Sequence, residues 1–116
     1  MRNHEARVTV RICDLARQKC VEREALVDTG STLSSITEEV RAELGLPVIA
    51  SYPADPALTN PQLVDAADAI LDFEGQAVPT RVIIARKFLI GLLDLEARGL
   101  VVDTRTGEVK KVPILV

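Results

Sequence analysis

The sequence predicts a small, mainly β protein with two short helices, and three observations support this fold class. The chain has 116 residues, which is enough for one hydrophobic core but not for two. Aromatic residues make up only 3% of it, so the core must consist of Val, Ile, Leu and Ala. Short apolar segments at close spacing, separated by polar turns, are typical of a small barrel or sandwich. We predict a single domain over residues 1–116.

The chain begins with two predicted strands. Apolar and polar residues alternate over residues 6–13, as expected of a strand with one buried face. The second strand covers residues 20–27, and its apolar end runs directly into Asp28. A carboxylate at the end of an apolar strand indicates a function, because burying it without a partner is costly.

A polar turn over residues 28–31 separates these strands from a short strand at residues 34–36. Residues 37–44 are predicted to be helical, with two glutamates in the first turn, where the helix dipole favours negative charge. Gly45 is the expected stop, since glycine readily adopts the left-handed conformation that ends many helices.

The middle of the chain contains a predicted loop and a predicted hairpin. Residues 51–61 are rich in Pro, Asp and Ala and therefore indicate an exposed loop or hairpin tip. Residues 63–73 and 77–85 are predicted strands, and Glu74-Gly75 is the turn that joins them.

The last part of the chain alternates short apolar segments with turns. The apolar stretch 88–91 ends in Gly91, and a short helix over residues 92–98 is expected to end at Gly99. A strand at residues 100–102, a turn at 104–107 and a final strand at 109–116 complete the predicted fold.

The cysteines and the histidine do not form a recognisable metal motif. Cys13 and Cys20 lack CxxC spacing, and His4 cannot complete a zinc site with them. We favour two small, buried, unbonded residues on neighbouring strands. If those strands form a hairpin the thiols face each other, although a disulfide is unusual in a cytosolic protein. No metal and no cofactor is expected.

Charge and hydropathy exclude two classes of protein. The formal net charge is −3, which argues against a nucleic-acid-binding domain. No apolar run reaches the roughly 18–20 residues that a membrane-spanning helix needs. Residues 1–11 contain no apolar stretch of the signal-peptide type. We therefore expect a cytoplasmic protein that binds neither nucleic acid nor membranes.

The candidate chemistry lies in Asp28-Thr29-Gly30. Gly30 lets the backbone approach the carboxylate and donate its N–H group to it. The tripeptide alone is a weak match, and a structural turn around an aspartate is the alternative. A similar sequence, Val102-Asp103-Thr104, is followed by Arg105 instead of glycine, so we interpret Asp103 as a turn residue.

Two blocks together resemble the retropepsin-like aspartic proteases, which include retroviral proteases and single-domain bacterial and archaeal relatives. The first block is Ala-Leu-Val-Asp-Thr-Gly-Ser-Thr-Leu-Ser-Ser-Ile at residues 25–36. The second covers residues 88–103, where two apolar residues and Gly91 precede a short helix. The resemblance extends from about Arg7 to the end of the chain. It implies a retropepsin-like closed β-barrel with one or two short helices and a homodimeric active site.

The resemblance also implies roles for individual residues around the catalytic loop. Asp28 is the expected catalytic aspartate, Thr29 would bond its counterpart across the dimer axis, and Gly30 would donate to the carboxylate. Ser31 would donate to the outer oxygen of the carboxylate, which favours the ionised form. The substrate-binding residues would be Ser31, Thr32, Leu58, Thr59 and Asn60, the last three at the tip of a flap.

Two further segments have implied supporting roles. Ile90 and Gly91 would pack behind the catalytic loop, and the terminal strand 113–116 would pair with its copy at the dimer interface.

The implied function is an aspartic endopeptidase. Its homodimer would join two Asp28 carboxylates and bind a peptide or protein substrate. The alternative is a non-catalytic dimeric module that binds peptides or proteins on the same fold. The intact Asp-Thr-Gly favours the enzyme. The flap segment lacks glycine between Gly45 and Gly75, whereas retroviral flaps are glycine-rich, and this favours the binding module or a protease with very narrow specificity.

Overall fold

Strands make up most of the residues that this computed structural model describes, 5–54 and 62–112. The strands are β1 (Arg7–Cys13), β2 (Cys20–Val27), β3 (Ser34–Thr37), β4 (Ala50–Pro53), β5 (Leu63–Phe73), β6 (Gln76–Ala85), β7 (Leu89–Ile90), β8 (Leu100–Asp103) and β9 (Glu108–Lys111). The helices are α1 (Glu38–Leu44) and α2 (Leu92–Glu96). The predicted mainly β class with two short helices is confirmed.

One seven-stranded sheet contains most of these strands, in the order β1-β2-β7-β3-β6-β5-β4. An additional antiparallel pairing joins β1 to β5, and β8 and β9 form a separate two-stranded sheet. Strands β2 and β7 are parallel. The chain therefore leaves both strands at the same edge of the sheet, which brings Asp28 and Gly91 together.

The core follows from the alternation of apolar residues along the strands. Val10 and Ile12 of β1 are fully buried, and the polar residues that alternate with them, Thr9 and Arg11, are exposed. Helix α1 covers this core with Val40 and Leu44, which are four residues apart and so lie on one face. Phe73 is the one buried aromatic residue of the described chain.

Helix α1 has the ends that its sequence predicts. The Thr37 side chain accepts a hydrogen bond from the N–H group of Val40, which caps the first turn. Gly45 ends the helix in the left-handed conformation with φ of 67°.

Helix α2 is shorter than predicted and ends at Glu96 instead of Arg98. The N–H groups of Arg98 and Gly99 bond the carbonyls of Leu95 and Glu96, three residues back. Such bonds tighten the last turn and end the helix before the glycine.

The predicted loop 51–61 is partly wrong, because residues 51–53 belong to β4. Strand β4 pairs antiparallel with β5, with Ala50 opposite Ala66 and Pro53 opposite Leu63. Proline is tolerated there because β4 is an edge strand. The predicted flap-tip residues Leu58, Thr59 and Asn60 lie outside the described residues, as does the terminal segment 113–116.

Cys13 and Cys20 form a disulfide. The favoured interpretation of two unbonded thiols is therefore wrong. The antiparallel register of β1 and β2 places the two cysteines directly opposite each other, next to the turn of the hairpin. The bond covalently closes the end of the hairpin that is remote from Asp28.

Candidate active site

Asp28 follows β2 directly and lies at the start of a tight turn. Its backbone N–H donates to the carbonyl of Ile90 at 2.9 Å, which continues the pairing of β2 with β7. Its own carbonyl accepts from the N–H group of Ser31 at 3.1 Å, which closes the turn. The side chain is exposed, so the expectation of a carboxylate buried beside the core is wrong for the single chain.

Gly30 supports the carboxylate as predicted. Its N–H group donates to Asp28 Oδ1 at 3.0 Å. A Cβ atom at position 30 would lie 3.2 Å from the same oxygen, which is closer than an ordinary van der Waals contact. A glycine at this position therefore leaves the carboxylate room to receive the backbone hydrogen bond.

The hydroxyl of Ser31 does not make the bond that the sequence suggested. It donates to the carbonyl of Leu33 at 2.7 Å, so its proton is not directed at Asp28. In the structure Ser31 therefore stiffens the turn. Its role in substrate binding stays a prediction.

Thr29 and Thr32 are both exposed on the loop. Their predicted contacts are with a second chain and with substrate respectively, and both stay predictions. The loop thus presents a carboxylate and two threonine hydroxyls on one short exposed segment.

The first turn of α2 supports the Asp28 loop from behind. The N–H group of Leu92 donates to the Ser31 carbonyl at 2.7 Å, and that of Leu93 donates to the Thr32 carbonyl at 3.1 Å. Helix N-termini leave N–H groups without partners inside the helix, and here the loop supplies the acceptors. The predicted packing of Ile90 and Gly91 behind the loop is confirmed by the Asp28–Ile90 bond and by the close approach of Gly91 to the backbone of Ser31 and Leu33.

A buried charged network, which was not predicted from the sequence, lies behind the same loop. It consists of Ser34, Asp94 and Arg98. Counting backbone and side chain together, these residues are 0%, 3% and 4% exposed to solvent. Asp94 and Arg98 are four residues apart, a spacing that was visible in the sequence and usually indicates an exposed ion pair. Nothing in the sequence shows which side of this short segment faces inward.

A cavity of about 310 Å³ opens beside Asp28. Its apolar wall comes from Leu26, Val27 and Leu89, and its charged edge from Glu5 and Lys87. The cavity is therefore a recess of mixed polarity next to a carboxylate, with apolar side chains on one wall and one further side chain of each charge at its margin.

Arg81 ties the base of the β4–β5 hairpin to the sheet. It donates to Asp68 Oδ1 and to the Tyr52 hydroxyl, both at 2.6 Å. The hydrogen bond to Asp68, followed by that to Tyr52, raises the pKa of the Arg81 guanidinium above its usual value. The charged guanidinium thus holds one residue from each strand of the hairpin, Tyr52 of β4 and Asp68 of β5.

The described ranges contain no group of three or more His, Cys, Asp or Glu side chains arranged to hold a metal ion. Within the same ranges, neither helix is long and apolar enough to cross a membrane.

Comparison with known proteins gives a match in three-dimensional structure. No protein-family model matches the chain, and no curated protein does. Sixteen chains of solved structures match it. One is EIAV protease complexed with the inhibitor HBY-793, with a TM-score of 0.57, 15% identity and coverage of 81% of this chain and 88% of that chain. The chain has a retropepsin-like fold. At this identity the similarity shows the fold alone, so the function must be argued from the site.

Proposed function

We propose that the chain is one half of a homodimeric aspartic endopeptidase. The observation that carries this proposal is the Asp28 carboxylate, which is exposed on a braced turn and accepts the Gly30 N–H at 3.0 Å. An exposed Asp-Thr-Gly turn on a retropepsin-like fold supports hydrolysis of a peptide bond as its function.

The proposed chemistry requires two carboxylates. When two like-charged groups lie close together they cannot both ionise, so a pair of aspartates shares one proton. The ionised carboxylate takes a proton from water, and the protonated one donates a hydrogen bond to the carbonyl of the scissile bond. Water adds to the carbonyl to give a tetrahedral diol. The C–N bond then breaks as a carboxyl group gives the proton taken from water to the leaving amine, and no covalent bond to the enzyme forms.

The second carboxylate would come from an identical chain. The sequence contains one Asp-Thr-Gly, and a twofold axis beside the loop would bring two copies of Asp28 together. The exposed Thr29, next to Asp28, would then face its counterpart and brace the two loops. The active enzyme is thus a homodimer, and the monomer lacks activity.

The cavity beside Asp28 would receive a substrate side chain. Leu26, Val27 and Leu89 offer it apolar contact, which favours cleavage next to an apolar residue of the peptide. The peptide would be bound further along its length by Ser31 and Thr32 and by the predicted flap residues Leu58, Thr59 and Asn60.

Several finer predictions remain part of this proposal. Closure of the sheet into a barrel is favoured by the pairing of β1 with β5. A single domain over residues 1–116 and a place among the bacterial and archaeal relatives also stay predictions. A cytoplasmic location also stays a prediction. The Cys13–Cys20 disulfide argues against it, because disulfides persist mainly in oxidising compartments.

The decisive experiment is cleavage of a mixed peptide library at acidic pH by the wild type and by Asp28→Asn, each verified as a dimer. Cleavage by the wild type alone supports the proposal and reveals the subsite preferences. We expect a pH optimum below neutral, because one carboxylate must hold its proton. Equal rates from acidic to alkaline pH would contradict the shared-proton mechanism.

A non-catalytic peptide-binding dimer is the second candidate, and the absence of glycine between Gly45 and Gly75 favours it. A segment without glycine has fewer accessible backbone conformations, which disfavours the opening and closing that catalytic turnover requires. Peptide binding by a verified wild-type dimer that cleaves no member of the library would favour this candidate over the enzyme.

A further inference from the structure

Asp94 and Arg98 are buried charged residues that take no part in the proposed hydrolysis. Their side chains have exposed fractions of only 3% and 0%. Burying an ion pair removes two charges from water, and the pair rarely stabilises a fold more than apolar residues of the same volume. A buried pair of this kind therefore calls for an explanation other than stability.

Both oxygens of the Asp94 carboxylate have partners. Oδ1 accepts from Arg98 Nη1 at 3.1 Å, and Oδ2 accepts from the hydroxyl of Ser34. The same Ser34 oxygen accepts the N–H group of Gly91 at 2.9 Å. Ser34 thus joins the carboxylate to Gly91, the residue immediately before α2, and it lies six residues after Asp28 in the chain.

Arg98 fastens the other side of the network to the sheet. Its Nη2 donates to the Leu71 carbonyl at 2.7 Å, and its Nη1 also donates to the Asp94 carbonyl at 2.8 Å. The guanidinium carbon lies 4.1 Å from the centre of the Phe73 ring, a distance typical of a cation–π contact. Gln76 donates to the Arg98 carbonyl at 3.1 Å. The end of β5 and the start of β6 therefore anchor the arginine.

These contacts form a continuous path from the sheet to the catalytic loop. The path runs from Leu71 through Arg98, Asp94 and Ser34 to the first turn of α2, whose N–H groups hold the loop carbonyls. A fully bonded buried polar network specifies one arrangement of its members, because any other leaves a buried group without a partner. No buried side-chain nitrogen or oxygen of the described residues lacks a hydrogen-bond partner.

We propose that the Ser34–Asp94–Arg98 network holds the Asp28 loop in one position, and that Ser34 and Asp94 are positioning residues. The inference that these residues position Asp28 for hydrolysis rests on the proposed function. The inference that the network holds the loop in one position does not. Neither residue touches the substrate in this account. They act through α2 on the placement of the Asp28 carboxylate.

Ser34→Ala and Asp94→Asn test the proposal, with Ser35→Ala as the matched control. Ser35 lies on the same strand and is also buried, but its hydroxyl donates to the Lys87 carbonyl at 2.7 Å and not to the network. The first measurement is amide hydrogen exchange by NMR at Asp28, Leu92 and Leu93, relative to the core amide of Val10.

We expect exchange at the three loop and helix amides to accelerate by about tenfold or more in both network variants, since each leaves a buried partner unsatisfied. In the control variant Ser35→Ala, the exchange rates of the three amides relative to that of Val10 are expected to stay at their wild-type values. Unchanged loop exchange in both network variants, or a change that matches that of Val10, would overturn the proposal.

The second measurement is peptide cleavage by the same dimers. Misplacement of a catalytic group lowers kcat, so we expect kcat to fall about 10- to 100-fold while KM changes less than about threefold. A wild-type kcat in variants whose loop exchanges faster would overturn the positioning role. If the wild type cleaves nothing, the proposed hydrolysis fails, and the exchange rates alone still decide whether the network holds the loop.

Discussion

Gly91 lies directly against the backbone of Leu33. A Cβ atom on Gly91 would be 2.6 Å from both the carbonyl carbon and the carbonyl oxygen of Leu33, and 2.8 Å from the Ser31 carbonyl oxygen. These contacts are with backbone atoms, which cannot rotate away as a flexible side chain can. The segment before α2 and the Asp28 loop can therefore approach this closely only because position 91 has no side chain.

The first prediction follows from this contact. Gly91→Ala is expected to lower the free energy of unfolding by about 1–3 kcal/mol or more, because the added methyl group forces two backbone segments apart. Urea unfolding measures the loss. The control is Gly75→Asn, because Gly75 has open space around it and a φ of 76°, which asparagine tolerates. Equal losses in the two variants would contradict the steric explanation.

The second prediction concerns the Cys13–Cys20 disulfide, which closes a loop with a sequence separation of seven. Replacing both cysteines with alanine is expected to cost about 2–3 kcal/mol of unfolding free energy, since a short loop gains modest entropy when it is released. The bond lies at the turn end of the hairpin, and Asp28 follows the other end. Peptide cleavage should therefore persist below the new melting transition.

A reducing agent provides the control for the disulfide. It should lower the stability of the wild type to that of the double variant and leave the double variant unchanged. If the reducing agent affects both proteins equally, the loss does not come from the disulfide.

The β1–β2 and β5–β6 hairpins were predictable from sequence because their local patterns agree with their tertiary environment. The alternation in residues 7–13 matches one buried face, and Glu74-Gly75 adopts positive φ values of 51° and 76° in the predicted turn. Strand β4 was not predictable, because its residues Ala50–Pro53 form a strand only by pairing with β5. There the tertiary context overrides a composition typical of loops.

The candidate site likewise has one part that was predictable from the sequence and one part that was not. The position of Asp28 and the hydrogen bond from Gly30 follow from a local motif, so the sequence was sufficient for them. The burial of Asp94 and Arg98 depends on Ser34 and Leu71, which lie more than twenty residues away in the chain. A pair of charges four residues apart has the same sequence pattern on an exposed helix face as in this interior.

The third prediction concerns pH and the β8–β9 hairpin. The hydrogen bond from Lys110, and then that from the Arg105 N–H group, lower the pKa of Asp103 below its ordinary value. The folded state therefore binds this proton less readily than the unfolded state does. The ionised Asp103 carboxylate therefore stabilises the folded state. This contribution to the free energy of unfolding is fully present above the unfolded-state pKa of Asp103 and is lost as the pH falls through the folded-state pKa.

Asp103→Asn removes this titration and leaves the other carboxylates in place. Between about pH 6 and about pH 3, the unfolding free energy of the wild type should fall more steeply than that of the variant. Urea unfolding at several pH values gives both curves. Curves that remain parallel would show that the Asp103–Lys110 contact at 3.1 Å does not contribute to the pH dependence.

The last prediction tests whether two chains share one active site. Asp28 is exposed and Asn can still accept the Gly30 N–H, so Asp28→Asn should fold and pair like the wild type. Mixing wild-type chains with about a ninefold excess of this variant, and allowing the dimers to exchange, leaves about a tenth of the wild-type chains paired with each other. Peptide cleavage per wild-type chain should fall to about that fraction, because a mixed dimer has only one catalytic carboxylate. The same excess of Ser35→Ala, which keeps Asp28, should leave cleavage per total chain unchanged and so controls for the change in total concentration. Cleavage per wild-type chain that stays constant in the Asp28→Asn mixture would mean that each chain acts alone, and the shared site would have to be abandoned.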